Sequence, residues 1–592
     1  MNILGINDGH NSSIALIKNG KTIAILEEER FSRVKADSGF PKQSLDYSKK
    51  RYPKFMKSID YVGIASKKID FYSMATKRYP KFKIKDFLIE DKVFWEPFLS
   101  HNKKIDPVKA MKNYINFKLS HYPLKRLKDK NNYFEINKMR LKFTAEYLQI
   151  NPSKIEFVDH HTCHAHHGFY SCKNKKNALI FTIDGYGDDT NAAVFIEKDN
   201  RLNCLYRTNL FNIGRIYSLI TLYLGMKPAE HEYKVMGLAP YAREHDIKPI
   251  LKIFKETYYI SGLKIKIKKK IKNHYKYFKN KFEESGFRFD AIAGALQLYT
   301  EELLIEWIKN WTKFKRKTKV ILSGGVALNI KACKRISELK NIKQLEVPMG
   351  SGDESLSHGA AQFVHMKKNP KIKLKEISSP YIGAGYNRKD VLDFKKNKHI
   401  IRNFKITEGV NVKKIAKLLS KGNIIANLRG NSEFGPRALG NRSLLADPRD
   451  TKVVKILNDS IKHRDFWMPF TPSILFEERK KYFNNKKELN ASYMTLAFDS
   501  TNLGKKDISA AIHERDLSLR PQLVKKELNP FYHSLIKEFK FITGVAALLN
   551  TSLNFHGKPI VLKPQDLLKE VILNKAVEIN CVLVEDTLFQ RK

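Results

Sequence analysis

The sequence predicts an α/β protein made of two similar halves followed by a second domain, and three observations carry that reading. First, two stretches share one plan. Ile3-Leu4-Gly5-Ile6-Asn7-Asp8-Gly9-His10-Asn11-Ser12-Ser13-Ile14-Ala15-Leu16-Ile17 and Phe181-Thr182-Ile183-Asp184-Gly185-Tyr186-Gly187-Asp188-Asp189-Thr190-Asn191-Ala192-Ala193-Val194-Phe195-Ile196 each run as an apolar strand to an Asp-Gly turn and return as a second apolar strand. Second, 592 residues at 42% hydrophobic content exceed what one core holds. Third, the character changes across a Lys- and Pro-containing linker, Lys367 to Ser379, which sets domains at 1–370 and 380–592.

Taken in order, the two Asp-Gly turns are expected to face a shared cleft. Glycine lets backbone N–H groups approach a phosphate, and the neighbouring Asp can hold a metal or a metal-bound water. A single such hairpin is more often only a turn, so the duplication carries the argument. Tyr72 to Lys142, rich in Lys and aromatics, reads as an insertion. Asp159-His160-His161-Thr162-Cys163-His164-Ala165-His166-His167 follows an apolar run and opens a helix. His160 and His164, four apart, share a helical face and can reach one metal ion; the competing reading is a patch of core histidines.

Val320-Ile321-Leu322-Ser323-Gly324-Gly325-Val326-Ala327-Leu328-Asn329 is a buried strand leading through a glycine pair into a helix, a geometry that offers N–H groups to an anion. The polar loop from Gly350 then supplies Asp353 as the carboxylate that two histidines need. Such a set leaves open coordination positions and suits Fe(II), with Zn or Mn less favoured. Beyond the linker, Glu433 to Arg449 packs Arg437, Arg442 and Arg449 among Gly and Pro, with Arg429 before it and Lys462, Arg464 and Arg520 after it. Arginines spaced in turns suit bidentate capture of phosphates or carboxylates, against a solvated basic face as the alternative. Ala546 to Gly557 is an apolar strand opening into an amide- and hydroxyl-rich turn, Asn550-Thr551-Ser552, able to hold a planar urea or carbamoyl group.

Lys+Arg exceeds Asp+Glu by 48, a charge that attracts nucleic acid, anionic lipid or acidic glycan. The excess is mostly lysine and diffuse, densest at Lys77 to Lys85, Lys125 to Lys130 and Lys264 to Lys281, which reads as a solvated surface without a specific polyanion partner. Five cysteines lack C-x-x-C spacing and scaffold density, as expected in a reducing compartment. The first residues form a strand rather than a signal peptide, and no run approaches about 18 apolar residues; a cytoplasmic protein without a transmembrane segment is expected.

The order of Gly9-His10-Asn11-Ser12-Ser13, His160-His161-x-x-His164-Ala165, Asp184-Gly185-x-Gly187-Asp188, Glu232 to Ala239, Ser323 to Asn329, Gly435 to Ser443 and Leu549 to Asn554 closely resembles the O-carbamoyltransferase family of nodulation, cephamycin and tobramycin biosynthesis. The resemblance covers nearly the whole chain. It implies an N-terminal actin/hexokinase-like (ASKHA) ATPase-fold domain similar to the tRNA threonylcarbamoyl transferase, and a C-terminal α+β domain like its YrdC-like, carbamoyl-adenylate-forming partner. It also implies the reaction: carbamoyl phosphate and ATP, with Mg, give carbamoyl-adenylate, whose carbamoyl group passes to a hydroxyl of a sugar, glycan or secondary metabolite.

The same resemblance makes His160, His164 and Asp353 ligands of Fe(II) or another divalent transition metal, and makes His10 and Asp184 the catalytic groups. Lys234, Gly324, Gly325 and Asn329 would line the nucleotide in the first domain. Arg429, Arg437, Asn441, Arg442, Lys462, Arg464, Arg520, Asn550, Thr551 and Ser552 would hold carbamoyl phosphate and ATP in the second. The chain departs from the family pattern at Asn11, where members usually carry Asp, at Met468, where many carry Arg, and in a longer stretch before Arg520. The 72–142 segment would shape the acceptor pocket or a domain contact. The expected partner is a small-molecule or glycan acceptor, with no specific nucleic acid and a homodimer left open. Two rivals stand beside this reading, a tRNA threonylcarbamoyl-type transferase and a non-catalytic nucleotide-binding regulator.

Overall fold

The computed structural model describes residues 1–69, 76–77, 83–97, 110–112, 118–119, 121–124, 127, 129, 132–173, 177–198, 201–313, 318–371, 375–462, 465–573 and 579–592. The chain divides into two units, Met1–Ile377 and Ser378–Lys592.

In the first unit, β1 (Asn2–Asn7), β2 (Ser13–Lys18), β3 (Lys21–Glu27), β4 (Tyr61–Ala65) and β5 (Ile155–Val158) form one sheet in the order β3-β2-β1-β4-β5. β1 pairs antiparallel with β2 across the Asp8-Gly9 turn and β2 antiparallel with β3 across Asn19-Gly20, whereas β1, β4 and β5 are parallel. β6 (Leu179–Gly187), β7 (Thr190–Lys198), β8 (Arg201–Thr208), β9 (Thr318–Ser323) and β10 (Ile342–Glu346) repeat the arrangement as β8-β7-β6-β9-β10, with the same mix of directions. The duplicated motif is therefore a duplicated five-stranded sheet. β1 reads as a nearly continuous buried run because both its faces are covered, the pattern expected where parallel strands lie under helices.

Four helices position the site: α1 (Tyr133–Leu148), α2 (His160–Ser171), α3 (Ile330–Glu338) and α4 (Leu356–Lys368). Ile3, Ile17, Ala65, Val158 and Cys163 pack with Leu356, Ala360, Ala361 and Val364 in one core, so α4 lies on the first sheet and against α2. Each large aliphatic side chain buried there contributes about 1.5–3 kcal/mol. The contacts are backbone to backbone: a Cβ on Gly359 would stand 1.9 Å from the Cys163 carbonyl oxygen, and one on Gly5 1.8 Å from that of Ser357. This closeness brings the start of α2 and the turn before α4 to one point.

The second unit is a mixed eight-stranded sheet carrying helices. Its strands are β11 (Phe404–Thr407), β12 (Ile425–Leu428), β13 (Arg442–Ala446), β14 (Thr471–Leu475), β15 (Gln522–Val524), β16 (Ala547–Ser552), β17 (Cys581–Val584) and β18 (Thr587–Arg591). They run β11-β18-β17-β12-β13-β16-β14-β15, antiparallel except for β12 with β17 and β14 with β15. Leu428, Leu444, Ala446, Leu549, Val582 and Phe589 centre its core.

Of the expected insertion from Tyr72 to Lys142, residues 76–77, 83–97, 110–112, 118–119, 121–124, 127, 129 and 132–142 are described, and the rest lies outside the described residues. α1 begins inside it and sends Arg140 into the interior, where the side chain is fully buried. Of the lysine-dense stretches, Lys264 to Lys270 carry exposed side chains on and after a surface hairpin, apart from the buried Ile265. Among the described residues no helix is long and apolar enough to cross a membrane.

Candidate active site and metal centre

α2 starts at Asp159, whose carboxylate accepts the Thr162 N–H at 2.8 Å and caps the helix. Helical geometry then stacks His160 over His164. Both Nε2 atoms lie 3.1 Å from Asp184 Oδ2, at the end of β6, and 3.6 and 3.3 Å from Asp353 Oδ1. The four ligand atoms fall within 4.8 Å of one another. Donors bound about 2.1 Å from one ion stand about 3–4 Å apart, so this two-histidine, two-carboxylate set fits a divalent transition metal. Asp184, expected beside the metal as a catalytic group, stands in the donor set itself. His10 approaches from the first Asp-Gly turn, its Nδ1 3.5 Å from Asp353 Oδ2.

Burial opposes charge on all four side chains, yet the pairs outweigh it. His164 is pushed up to about 9, with burial opposing and Asp184 and Asp353 prevailing. His160 is raised for the same reason. Asp184 is held well below the usual carboxylate range, since the two imidazoles overcome its desolvation. Asp353 is also lowered, by His10, His164 and His160 against burial and the Asp184 charge.

The other three histidines of the cluster belong to the core. His161 Nδ1 meets Thr182 Oγ1 at 2.8 Å and its Nε2 meets the Thr190 carbonyl at 3.1 Å. His166 Nδ1 lies 2.8 Å from the Thr162 carbonyl, and His167 Nδ1 3.0 Å from His358 Nδ1 on α4. Burial pushes His161, His166 and His167 down to about 3, 4 and 3. The core reading thus describes His161, His166 and His167, while His160 and His164 stand in a donor set that could hold a metal.

The two Asp-Gly turns have different fates. Asp184 faces the donor set, and its Oδ1 accepts the Gly185 N–H at 2.7 Å and the Gly325 N–H at 3.3 Å. Gly325, expected on a nucleotide, thus serves a carboxylate of the chain, while Gly324 donates its N–H to the Ser351 carbonyl at 2.8 Å. Asp8 is fully buried and gripped by Arg140, which corrects the expectation that it holds a metal or metal-bound water. Asn329 caps α3, accepting the Ala332 N–H at 3.0 Å, and pairs with Gln297; Lys234 is buried on the short helix Glu232–Leu238.

Sequence reasoning missed the residues that aim these groups. Asn7 donates its amide to the His10, Asn11 and Asp353 carbonyls at 2.8, 3.2 and 3.0 Å, tying the first turn to the loop before α4. Asp188 accepts the His160 N–H at 2.7 Å. Its signal was present, as the closing residue of Asp-Gly-x-Gly-Asp. A Cβ on Gly187 would stand 2.2 Å from His160 Cγ, so the ring packs on bare backbone.

In the second unit the arginine-rich loop is a braced scaffold. Glu433 Oε1 accepts the N–H groups of Leu439, Asn441 and Arg442 at 2.7, 2.8 and 3.2 Å. Asn550 donates to the Ala438 carbonyl at 3.1 Å, Gln522 to that of Leu439 at 2.7 Å and Asn427 to that of Gly440 at 2.6 Å. Arg442 is fully buried and donates to the carbonyls of Leu562, Arg429, Asn441 and Gly430. Asn441 is likewise engaged, with the Asn431 carbonyl and Asn529. These contacts correct the expected phosphate-holding roles of Arg442, Asn441 and the Asn550 amide, because their donors hold the loop. Arg449 pairs with Asp447 at 2.7 Å. Arg429 stacks 3.7 Å from the Phe531 ring centroid and bonds the Glu585 carbonyl. Arg437 and Arg520 are half-buried, Thr551 is on β16, and Ser552 donates to Asn554 Oδ1 at 2.6 Å. Arg464 and the side chain of Lys462 lie outside the described residues.

A duplicated α/β unit with a paired-histidine, paired-carboxylate centre, followed by a mixed-sheet unit with an arginine loop, defines the class of protein. Two family models match almost end to end: "Carbamoyltransferase N-terminus" over residues 2–362 and "Carbamoyltransferase C-terminus" over residues 416–591. Uncharacterized protein MJ1058 of Methanocaldococcus jannaschii is 32% identical over 98% of both chains. Nodulation protein NolNO of Sinorhizobium fredii is 26% identical over 93% of this chain and 75% of its own. The 3'-hydroxymethylcephem-O-carbamoyltransferase of Amycolatopsis lactamdurans is 34% identical over 29% of this chain and 32% of its own. The chain belongs to the carbamoyltransferase family, and it is an enzyme that transfers carbamoyl groups.

Proposed function

We propose that the protein is an ATP-dependent O-carbamoyltransferase. The C-terminal, YrdC-like unit makes carbamoyl-adenylate: water cleaves phosphate from carbamoyl phosphate, and an oxygen of the carbamate so formed bonds to the α-phosphate of ATP as pyrophosphate leaves. The N-terminal, ASKHA-like unit passes the carbamoyl group to a hydroxyl of a sugar, glycan or secondary metabolite. The observation that carries this reading is the convergence of His10 with the donor set through Asp353. The acceptor class is supported by the names of the nodulation and cephem relatives.

His160, His164, Asp184 and Asp353 would hold a divalent metal, Fe(II) being the favoured candidate, which when bound supplies Lewis-acid stabilisation of charge on phosphate or carbamoyl oxygen. The proton chemistry falls to His10. With its Nδ1–H directed at Asp353, the lone pair sits on Nε2 and can take a proton. The acceptor oxygen forms a bond to the carbamoyl carbon, that carbon's bond to the adenylate phosphate breaks, AMP leaves with the electron pair, and the acceptor's proton goes to His10. Arg437 and Arg520, with Lys462 and Arg464, bind the phosphates of carbamoyl phosphate and ATP, while Glu433, Asn427 and Gln522 keep the loop of Arg437 rigid.

The test separates the two half-reactions. Arg437→Ala should abolish carbamoyl-phosphate-dependent exchange of pyrophosphate into ATP, whereas His10→Ala should keep that exchange and lose acceptor carbamoylation. Equal loss of exchange in both overturns the two-site scheme. Incubation with carbamoyl phosphate and ATP should carbamoylate hydroxylated small molecules and leave bulk tRNA unmodified; a modified tRNA nucleoside would make the tRNA rival the better reading.

A further inference from the structure

We propose that Ser66 and Arg140 are positioning residues for His160, an inference that rests on the metal reading of the site. Arg140 makes five hydrogen bonds with its five donors. Nε and Nη2 fork onto Asp8 at 2.8 and 2.6 Å; Nη1 reaches the Ser66 carbonyl and Asn137 Oδ1, each at 2.8 Å; Nη2 also reaches the Ala65 carbonyl at 2.9 Å. Tyr122 adds its hydroxyl to Asp8 Oδ2 at 2.5 Å. Both members of the ion pair are fully buried. A buried pair so completely satisfied is a rigid fixture, and what it fixes is the end of β4.

Ser66, immediately after β4, has φ of 68°, a left-handed conformation uncommon for a residue with a side chain. Arg140 holds its carbonyl, and its N–H donates to the Val158 carbonyl at 2.8 Å. Asp188 accepts the next two N–H groups, those of Lys67 and Lys68, at 2.9 and 2.5 Å, and accepts the N–H of His160 as well. The strained turn therefore delivers one group, the Ser66 hydroxyl, to His160 Nδ1 at 3.2 Å. A histidine can present Nε2 as a ligand only when the proton resides on Nδ1, and that proton needs an acceptor. Ser66 Oγ supplies it and sets the plane of the ring. The first half of the duplicated unit thus contributes an outer support where the second half contributes the ligand Asp184.

Cobalt(II) titration against a competing chelator, with its visible absorption as a report on ligand geometry, tests this without reference to activity. Ser66→Ala and Ser66→Gly should each bind cobalt about 10–100-fold more weakly than the unsubstituted protein, with an altered spectrum. The glycine variant relieves the left-handed strain and should keep the metal-free melting temperature. The double substitution Asp8→Leu with Arg140→Met, which leaves no lone buried charge, should weaken cobalt binding likewise although neither side chain is a ligand. Unchanged cobalt affinity and spectrum in both Ser66 variants, with binding lost in His160→Ala, overturns the positioning role alone. Unchanged binding in His160→Ala overturns the metal reading and this inference with it.

Discussion

Metal binding at this centre should release protons, and His164 sets the size of the effect. Its ring is fully buried; burial opposes the charged form, but Asp184 and Asp353 prevail and raise it to about 9. At pH 7 the metal-free ring is an imidazolium, so an ion reaches Nε2 only after that proton leaves. Two pH units of competition by that proton amount to about 100-fold weaker apparent affinity at pH 7 than above pH 9. His160, raised as well, steepens the dependence. Chelator-competition titrations at several pH values, with calorimetry in two buffers of different ionisation enthalpy, should show affinity rising with pH and at least about one proton released per ion at pH 7. A flat affinity with no proton release refutes the argument. The sign for stability is opposite: a histidine raised from about 6.5 to about 9 stabilises the metal-free fold fully below pH 6.5 and loses that contribution as pH rises through 9.

Gly187→Ala places a Cβ against His160 Cγ, and should weaken metal binding about 10–100-fold in the same titration although no ligand is altered. Arg442→Met removes the buried donor of the Leu562, Arg429 and Gly430 carbonyls, while that of Asn441 keeps the Arg429 N–H, and should cost the C-terminal unit about 2–4 kcal/mol in denaturant unfolding; a change confined to the apparent KM for carbamoyl phosphate would contradict the structural role. His161, His166 and His167 are depressed to about 3, 4 and 3, so the unfolded chain binds protons that the fold rejects. Stability should therefore fall with pH below about 6.5, by up to about 1.4 kcal/mol per pH unit for each histidine, as measured by urea unfolding at a series of pH values.

Local patterns made much of this protein readable from its sequence. The repeated strand, Asp-Gly turn and strand reports backbone geometry, and backbone geometry is set by periodicity and by turn residues. It translated directly into two sheets of the same order. The stacking of His160 over His164 follows from helical pitch alone, so a shared histidine face was legible, and Asp353 could be proposed beside it from its polar loop.

What only the tertiary structure decided is the partner of each polar side chain. Asp8 and Asp184 carry the same local signal, yet Asp8 is neutralised by Arg140, 132 residues away, and Asp184 faces two imidazoles. Arg437, Arg442 and Arg449 read as one set of phosphate ligands, but Arg442 is consumed by carbonyls and Arg449 by Asp447. Nothing local distinguishes them, because a charged group's role depends on what desolvates it and what pairs with it, and the packing of distant segments settles both.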